Sequence, residues 1–333
     1  MSDRCPLIVV AGARCLGDAI MTLPALARLR ASREDARFLL LAPGSLSARV
    51  YVLSGLVDQA EVEVLPEGNA GIVRRMSRLR QSRPDAVVLW SGGFVWALGA
   101  RLTGAPIRAG LASDGRAWLL THAFPEQATD VHQSQVCLGI SDLALDALGV
   151  PVVSQKSPFP LPVRTEGVRD PRCLVVIPSA SRPDKIWPVE NFQHVIRNLV
   201  AEGVFGEILV AGSPAETTLC RTLADLPGVR AVRALNAELE NLAAIFSTAG
   251  FALGNTTGLA HLAAACGCRV LALSGEPGQD RGAPACPGCR SLGNPDLPPN
   301  GKKRGSQEIL AAITPDMVLD QLRTMTAEGS LLE

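Results

Sequence analysis

The sequence predicts an α/β protein that contains two doubly wound parallel sheets. Apolar runs alternate with helix-period segments through the first half of the chain, which is typical of βαβ units. A proline-rich stretch at residues 151–162 interrupts this pattern, and the same alternation then restarts. The first apolar runs are continuous, as expected for strands that are covered on both faces of a sheet. With 333 residues the chain is long enough for two domains of roughly 150 residues each.

The first half begins with a predicted strand at residues 7–13 and a helix at residues 19–30. Asp18 is expected at the N-cap of this helix, which is its structural interpretation. Its functional interpretation is a carboxylate at the carboxyl end of a strand, where open α/β sheets place ligands. Pro24 lies inside the predicted helix and is expected near its first turn. Further strands are predicted at residues 38–42, 62–65, 86–90 and 107–111, and further helices at 45–53, 72–81, 94–102 and 131–148.

The second half repeats the alternation of strands and helices. Strands are predicted at residues 173–177, 207–211, 229–232, 249–253 and 269–273. Helices are predicted at residues 189–201, from 216 to about 226, at 239–248, after the turn at 254–257, and at 314–326. Pro315 occupies the first position of the last helix, where proline is favoured. Residues 275–305 are rich in glycine and proline, and no element is predicted there.

The turn at residues 254–258 joins a buried strand directly to a helix. Such a turn leaves backbone N–H groups unpaired at one point, where the helix dipole adds positive charge. The combination suits a phosphate group, and Asn255, Thr256 and Thr257 could cap the helix or bind the anion. Taken alone, the pattern is better explained by an ordinary capped helix, because capped strand-to-helix turns are common.

Three loops of the second half follow strand ends that a parallel sheet places on one edge. Their hydroxyl groups, one cation and a helix N-terminus suit a diphosphate, and an acidic residue suits ribose hydroxyls. The candidate donor-binding residues are Ser179, Ser181, Lys185, Glu216, Thr256, Thr257, Gly258 and His261. Lys185 alone could be a surface lysine and His261 a hydrogen-bonded helix residue, but together the loops favour a nucleoside diphosphate site. The P-loop and GxGxxG fingerprints are absent, which argues against those nucleotide-binding classes.

Composition excludes several function classes. The formal net charge is zero, so no overall field attracts nucleic acid. No apolar run reaches the roughly 18 residues of a membrane span, and the first residues lack a signal-peptide pattern, so we expect a cytosolic protein. Six of the nine cysteines lie in apolar segments and are expected to be reduced core thiols: Cys15, Cys137, Cys173, Cys220, Cys266 and Cys268. The Cys286–Cys289 pair lacks further ligands after it, so no metal site is expected.

The predicted helix near residues 71–83 carries five arginines and no acidic residue: Arg74, Arg75, Arg78, Arg80 and Arg83. A solvated basic face is the favoured interpretation. The alternative is a patch for anionic lipid headgroups or for a phosphorylated acceptor.

Several of these segments together resemble glycosyltransferase family 9, the ADP-heptose:lipopolysaccharide heptosyltransferases. The resemblance covers most of the chain and rests on residues 17–24, 185–188, 212–216, 254–265 and 313–318. It implies a GT-B fold, in which two Rossmann-like domains face a cleft. On this basis we expect an acceptor-side domain at residues 1–160 and a nucleotide-sugar domain at 161–313. A C-terminal helix at 314–333 is expected to pack back on the first domain.

The resemblance also implies roles for individual residues. Asp18 matches the general base, Lys185 the diphosphate ligand and Glu216 the ribose ligand. Thr257, Gly258 and His261 match the phosphate loop. Thr256 departs from the family, which usually has an aspartate at that position.

The leading hypothesis is metal-independent transfer of a heptose from ADP-heptose to a hydroxyl of a lipopolysaccharide core or a related glycan, in the bacterial cytoplasm and without a cofactor. A peripheral contact with the inner membrane surface is compatible with this function. A catalytically weak protein that binds nucleotide sugars or glycans is the main alternative, and an epimerase of free nucleotide sugars is a third.

Overall fold

The computed structural model describes residues 4–66, 68–90, 92–126, 131–165, 167–180, 182–212, 217–231, 238–274, 281–293 and 306–329. The chain divides into two compact units, Met1–Pro158 and Phe159–Glu333. Each unit contains one six-stranded sheet, and all of the paired strands are parallel. The division falls within the proline-rich stretch. This confirms the predicted α/β class with two parallel sheets.

The first unit has the strand order β3-β2-β1-β4-β5-β6. Its strands are β1 (Leu7–Ala11), β2 (Arg37–Ala42), β3 (Val62–Val64), β4 (Ala86–Leu89), β5 (Ile107–Leu111) and β6 (His122–Phe124). Its helices are α1 (Leu16–Ser32), α2 (Ser45–Leu53), α3 (Asn69–Arg78), α4 (Phe94–Thr103) and α5 (Gln133–Ala147). The order of strands reverses between β1 and β4, so a topological switch point lies between these two strands.

The second unit has the equivalent order β12-β11-β10-β7-β8-β9, and its switch point lies between β7 and β10. Its strands are β7 (Asp170–Ile177), β8 (Glu207–Val210), β9 (Val229–Ala231), β10 (Ala249–Asn255), β11 (Arg269–Leu273) and β12 (Arg290–Leu292). Its helices are α6 (Val189–Glu202), α7 (Thr217–Ala224), α8 (Leu239–Thr248), α9 (Gly258–Ala265), α10 (Ser306–Ala311) and α11 (Pro315–Gly329).

The central strands β1, β4 and β10 are buried along their whole lengths, as continuous apolar runs require. One apolar core lies in the second unit and includes Trp187, whose ring packs edge-on against Phe192 with the ring centroids 4.8 Å apart. A core in the first unit includes Met76 of α3 and Trp96 of α4. Burial of these faces is the main stabilising contribution to both units.

Helix α1 begins earlier than predicted. Cys15 is its N-cap and Leu16 is its first residue, because the buried side of the helix already starts at Leu16. The predicted N-cap position of Asp18 is therefore wrong, and the residue lies in the first helical turn. Pro24 consequently lies in the helix interior rather than near the first turn.

The cysteines follow the prediction only in part. Five of the six expected core thiols are buried, but Cys15 is exposed, because it lies in the turn that precedes α1. Cys286 and Cys289 form a disulfide that was not predicted.

Helix α11 contributes to the core of the second unit. Its apolar side chains Val318, Leu319, Leu322 and Met325 are buried in that core. Arg323 of α11 also forms an ion pair with Glu202 of α6 at 2.5 Å. The expectation that residues 314–333 pack on the first unit stays a prediction.

Candidate functional site

The turn between β1 and α1 carries the candidate base of the first unit. Tyr51 of α2, which is fully buried, holds this turn with its hydroxyl group. The hydroxyl oxygen lies 3.0 Å from the Ala13 amide, from which it accepts a hydrogen bond, and 2.9 Å from Thr22 Oγ1. Burial raises the pKa of Tyr51 to about 12, so the hydroxyl stays protonated. The turn that places Asp18 is therefore held from a second helix.

The Asp18 carboxyl group lies in the first turn of α1 and is exposed. Partial desolvation by the surrounding protein raises its pKa above the ordinary value, and a hydrogen bond with the Cys15 thiol opposes this shift to a smaller extent. Burial raises the pKa of the Cys15 thiol, and the neighbouring Asp18 charge raises it further. A solvent-accessible carboxylate with a raised pKa is chemically suited to accept a proton.

The candidate anion site of the second unit is organised by Asn255, the last residue of β10, which is 1% exposed. Its side-chain oxygen accepts a hydrogen bond from the Trp187 amide at 2.9 Å. Its side-chain nitrogen donates to the carbonyl oxygens of Pro178 at 2.8 Å and Ser179 at 3.4 Å. One side chain therefore holds the loop after β7 against the turn after β10, at the switch point of the sheet.

Lys185 lies two residues before Trp187 and ends a short 3₁₀ helix, Pro183–Lys185. The lysine is half-buried. The Trp187 indole donates a hydrogen bond to the Ile313 carbonyl at 2.9 Å, so the segment that carries Lys185 is held at both the backbone and the side chain of Trp187. Ser179 is buried at the beginning of the same loop.

The N-terminus of α9 supplies the remaining donors. Thr257 is the N-cap residue, but its hydroxyl does not cap the helix. Among the described residues this buried hydroxyl oxygen has no hydrogen-bond partner, which is uncommon for a buried polar group. Gly258 begins the helix and His261 is buried within it. The arrangement offers a helix N-terminus and an unpaired hydroxyl to an anion.

The structure thus places six of the predicted donor-binding residues on the segments that follow β7 and β10: Ser179, Lys185, Thr256, Thr257, Gly258 and His261. Ser181 and Glu216 lie outside the described residues. Thr256 forms hydrogen bonds from its amide and its hydroxyl to the Leu273 carbonyl oxygen, at 3.1 and 3.3 Å. Sequence reasoning missed the connecting role of Asn255 and the support from Trp187 and Tyr51, although the tryptophan two residues after Lys185 was a visible signal.

A family model, glycosyltransferase family 9 (heptosyltransferase), matches residues 72–308, well over half of the chain. The chain belongs to this family. Sequence reasoning reached the same family from the motifs around Asp18, Lys185 and Asn255, and that prediction is confirmed.

Several solved structures resemble this family 9 chain. E. coli ADP-heptose lps heptosyltransferase II is 20% identical with a TM-score of 0.70, over 97% of this chain and 99% of that one. E. coli heptosyltransferase WaaC with ADP is 18% identical with a TM-score of 0.72, over 96% and 99%. The iron-containing dodecameric glycosyltransferase TibC from enterotoxigenic E. coli H10407 is 14% identical with a TM-score of 0.59, over 96% and 78%. No curated protein matches the chain. The first two similarities confirm the predicted GT-B fold class for this family 9 member.

Proposed function

We propose that this glycosyltransferase moves a heptose from ADP-heptose to a hydroxyl group of a lipopolysaccharide core or a related glycan. The observation that carries the proposal is the pair of hydrogen bonds that Asn255 accepts from the Trp187 amide and donates to the Pro178 carbonyl, because they join the Lys185 loop to the segment that precedes α9. The names of two structural relatives, one an ADP-heptose transferase and one solved with ADP, support the choice of donor.

In the proposed reaction the second unit holds the donor by its diphosphate. Lys185 and the hydroxyls of Ser179 or Ser181 contact the phosphates. Thr256, Thr257, His261 and the N-terminus of α9 at Gly258 supply the remaining donors. Glu216 accepts hydrogen bonds from the ribose. These groups stabilise the negative charge that develops on the departing diphosphate.

Asp18 acts as the general base in this proposal. Its carboxylate takes the proton of the acceptor hydroxyl while the hydroxyl oxygen bonds to the anomeric carbon of the heptose. The bond from that carbon to the diphosphate breaks, and ADP leaves with the bonding electron pair. General bases contribute typically 10²- to 10⁴-fold to a rate.

An Asp18→Asn variant separates catalysis from donor binding. We expect kcat to fall by about 10²- to 10⁴-fold, with the dissociation constant of ADP within about threefold of wild type. Lys185→Gln should mainly weaken ADP binding, by about tenfold or more. The reason is that a hydrogen bond to a charged group contributes about 1.5–3 kcal/mol. Isothermal titration calorimetry and an assay of ADP release measure the two quantities.

The raised pKa of Asp18 also predicts the thermal stability of Asp18→Asn, and this stability shows whether the variant is folded. A carboxyl group whose folded-state pKa is raised contributes stability below its unfolded pKa, and that contribution is lost as the pH rises through the folded value. At pH 7 the ionised Asp18 therefore lowers the stability of the native state. Asp18→Asn should unfold at the same or a higher temperature than wild type at pH 7. Near-normal turnover by a folded Asp18→Asn protein would rule out the base assignment.

We propose that the reaction needs no metal, because Lys185 and the α9 N-terminus supply the positive charge that the diphosphate requires. TibC carries iron, so this point calls for its own measurement. Turnover that survives exhaustive chelation, with the residual metal content measured by mass spectrometry, is the expected result. Loss of turnover that iron or magnesium restores would overturn it.

A nucleotide-sugar-binding protein with weak catalysis is the second candidate. Thr256 favours it, because the family usually has a carboxylate there and the Thr256 hydroxyl is bonded to Leu273. Incubation with ADP-heptose and a panel of lipid A–core acceptors discriminates between the candidates. Binding without release of ADP supports the second candidate, whereas ADP release that depends on an acceptor supports transfer.

We further propose that the enzyme works in the cytoplasm of a bacterium, with a peripheral contact to the inner membrane surface. Within the described part of the chain, no helix has the length and apolarity that crossing a bilayer requires. Fractionation of cells that express the tagged chain, with and without a high-salt wash of the membranes, tests this location.

A further inference from the structure

Helix α4 of the first unit presents large apolar side chains to solvent. Phe94 and Leu102 of this helix are 41% and 39% exposed, and the nearby Trp118 is 72% exposed. The Phe94 and Trp118 rings lie with their centroids 6.1 Å apart. Isolated exposed apolar side chains are ordinary, but a group of them that includes a tryptophan marks a candidate interaction surface.

The loop that carries Trp118 is attached to the end of α4 by Arg108. The Arg108 guanidinium donates a hydrogen bond from Nε to the Leu119 carbonyl at 2.9 Å and from Nη1 to the Ala105 carbonyl at 2.6 Å. Leu119 follows Trp118, and Ala105 lies just after the last turn of α4. The tryptophan is therefore held beside the helix in the folded protein.

The same region carries positive charge. Arg101 is exposed on α4, next to Leu102. Burial lowers the pKa of Arg108, and the charge of the nearby Arg101 lowers it further. The Arg80 stem lies beside Gly104, where a Cβ atom would be 3.9 Å from Arg80 Cγ. Arg101 thus lies on the same helix as Phe94 and Leu102, and the stem of Arg80 lies at the C-terminal end of that helix.

The described part of the chain holds no ion-pair partner for these two charges. Among the residues that the structure describes, Arg80 and Arg101 take part in no ion pair, and neither do Arg78 and Arg83 on either side of Arg80. By contrast, Arg75 of α3 pairs with Glu63, and Arg4 pairs with Asp85. The chain as a whole has no net charge, so the positive charge here is local.

We propose that Phe94, Leu102, Trp118, Arg80 and Arg101, which we call the α4 surface, bind the surface of an anionic bilayer. Tryptophan and other large apolar side chains favour the level of the lipid headgroups. Arginines beside them attract lipid phosphates. The exposed aromatic side chains of the same region distinguish this surface from a purely solvated basic face, which is the favoured interpretation of the arginine pattern alone. The inference rests on the peripheral membrane contact proposed above and assigns it to residues of the first unit, and it does not depend on the sugar that is transferred.

Co-sedimentation with lipid vesicles tests the proposal on the full-length protein. We expect binding to vesicles that contain about one third phosphatidylglycerol, and at least tenfold weaker binding to pure phosphatidylcholine. Each arginine near an anionic surface strengthens binding about fivefold. Arg80→Glu/Arg101→Glu should therefore weaken partitioning by about 25-fold or more. Phe94→Ser/Trp118→Ser should weaken it severalfold, including at high salt, where the charge contribution is screened.

Arg197→Glu is the matched control, because this arginine is exposed on α6 of the second unit. The substitution changes the charge by as much as each of the two substitutions in Arg80→Glu/Arg101→Glu. It should bind the anionic vesicles within about threefold of wild type. Thermal unfolding and ADP binding should be unchanged in every variant, which shows that the fold is intact. Equal binding to neutral and anionic vesicles, or an unaffected Arg80→Glu/Arg101→Glu protein, would overturn the proposal. A wild-type oligomer that Phe94→Ser/Trp118→Ser dissociates would also overturn it, because a second copy would then occupy the surface.

Discussion

The pKa of the Asp18 carboxyl results from two opposing local effects. Desolvation raises this pKa, and the hydrogen bond with the Cys15 thiol lowers it by less. Since only the ionised carboxylate accepts a proton, kcat/KM should fall on the acid side of the profile at a pH above the ordinary aspartate value of about 3.9.

Substitution of Cys15 should move this acid limb. Cys15→Ala removes the hydrogen bond that lowers the pKa of Asp18, so the limb should shift to higher pH. Cys15→Ser keeps a hydrogen-bond donor and should leave the limb close to that of wild type. The measurement is kcat/KM between pH 4 and 8 at saturating acceptor. A limb that moves to lower pH in Cys15→Ala would contradict the role that we assign to the thiol.

Asn255 shows why part of the candidate site could not be predicted from the sequence. The sequence predicted it in the strand-to-helix turn, whereas it is the last residue of β10, and its short polar side chain indicated a cap or an anion ligand. In the structure it bonds to groups that lie 68, 77 and 76 residues away in the chain. Such partners depend on which strands are neighbours in the sheet, and local sequence patterns do not determine this. Asp18 and Lys185, by contrast, lie in local motifs.

At the scale of elements, the close approach of β10 to β7 depends on Gly254. A Cβ atom at this position would overlap the Ile177 carbonyl oxygen, and it would lie 2.7 Å from Ile177 Cβ. The obstacle includes backbone of the neighbouring strand, so it cannot be relieved by a side-chain rotation. The two strands that carry the candidate donor loops are therefore packed at the distance that a glycine permits.

Gly254→Ala should destabilise the second unit and disturb the Asn255 turn. We expect a loss of about 1–3 kcal/mol in the free energy of unfolding, typical of overpacking, with ADP binding weakened at least fivefold. Gly206→Ala is the control, since a Cβ atom there would be 3.8 Å from Arg172 Cβ, an ordinary contact. Urea unfolding and calorimetry measure both effects. Equal stability of the two variants would show that β10 can move away from β7 at little cost.

The sequence predicted most strands and helices because continuous apolar runs and helical periods are strong local signals. It missed β6 (His122–Phe124), β12 (Arg290–Leu292) and α10 (Ser306–Ala311). The two strands have three residues each, too few for a period to be seen, and β12 lies in the glycine- and proline-rich segment. Both are edge strands that pair with one neighbour, so pairing within the sheet rather than local propensity determines them.

At the scale of the whole molecule, the end of the chain supports the candidate donor site. Helix α11 completes the core of the second unit through its buried apolar side chains, and the Ile313 carbonyl just before it accepts the Trp187 indole hydrogen bond. Trp187 in turn supports the segment of Lys185. The stability of α11 and the affinity for the donor should therefore be linked.

Leu322→Ala in α11 tests this link. Both Leu322 and Leu26 of α1 are fully buried, so each alanine substitution should cost about 2–5 kcal/mol. Leu322→Ala should also weaken ADP binding severalfold under conditions where the protein is folded. Leu26→Ala, in the other unit, should leave it unchanged. Thermal unfolding followed by calorimetric titration provides the comparison, and equal ADP affinities for the two variants would contradict the link.

The distribution of thiols has a practical consequence for following the reaction. Of the seven free cysteines, only Cys5 and Cys15 are exposed. A Cys5→Ser chain would thus offer a single alkylation position to a maleimide dye, immediately next to Asp18. Because the Cys15 pKa is raised, labelling should proceed best in mildly alkaline buffer. The attached fluorophore would report events at the proposed base optically, independently of any signal from nucleotide release.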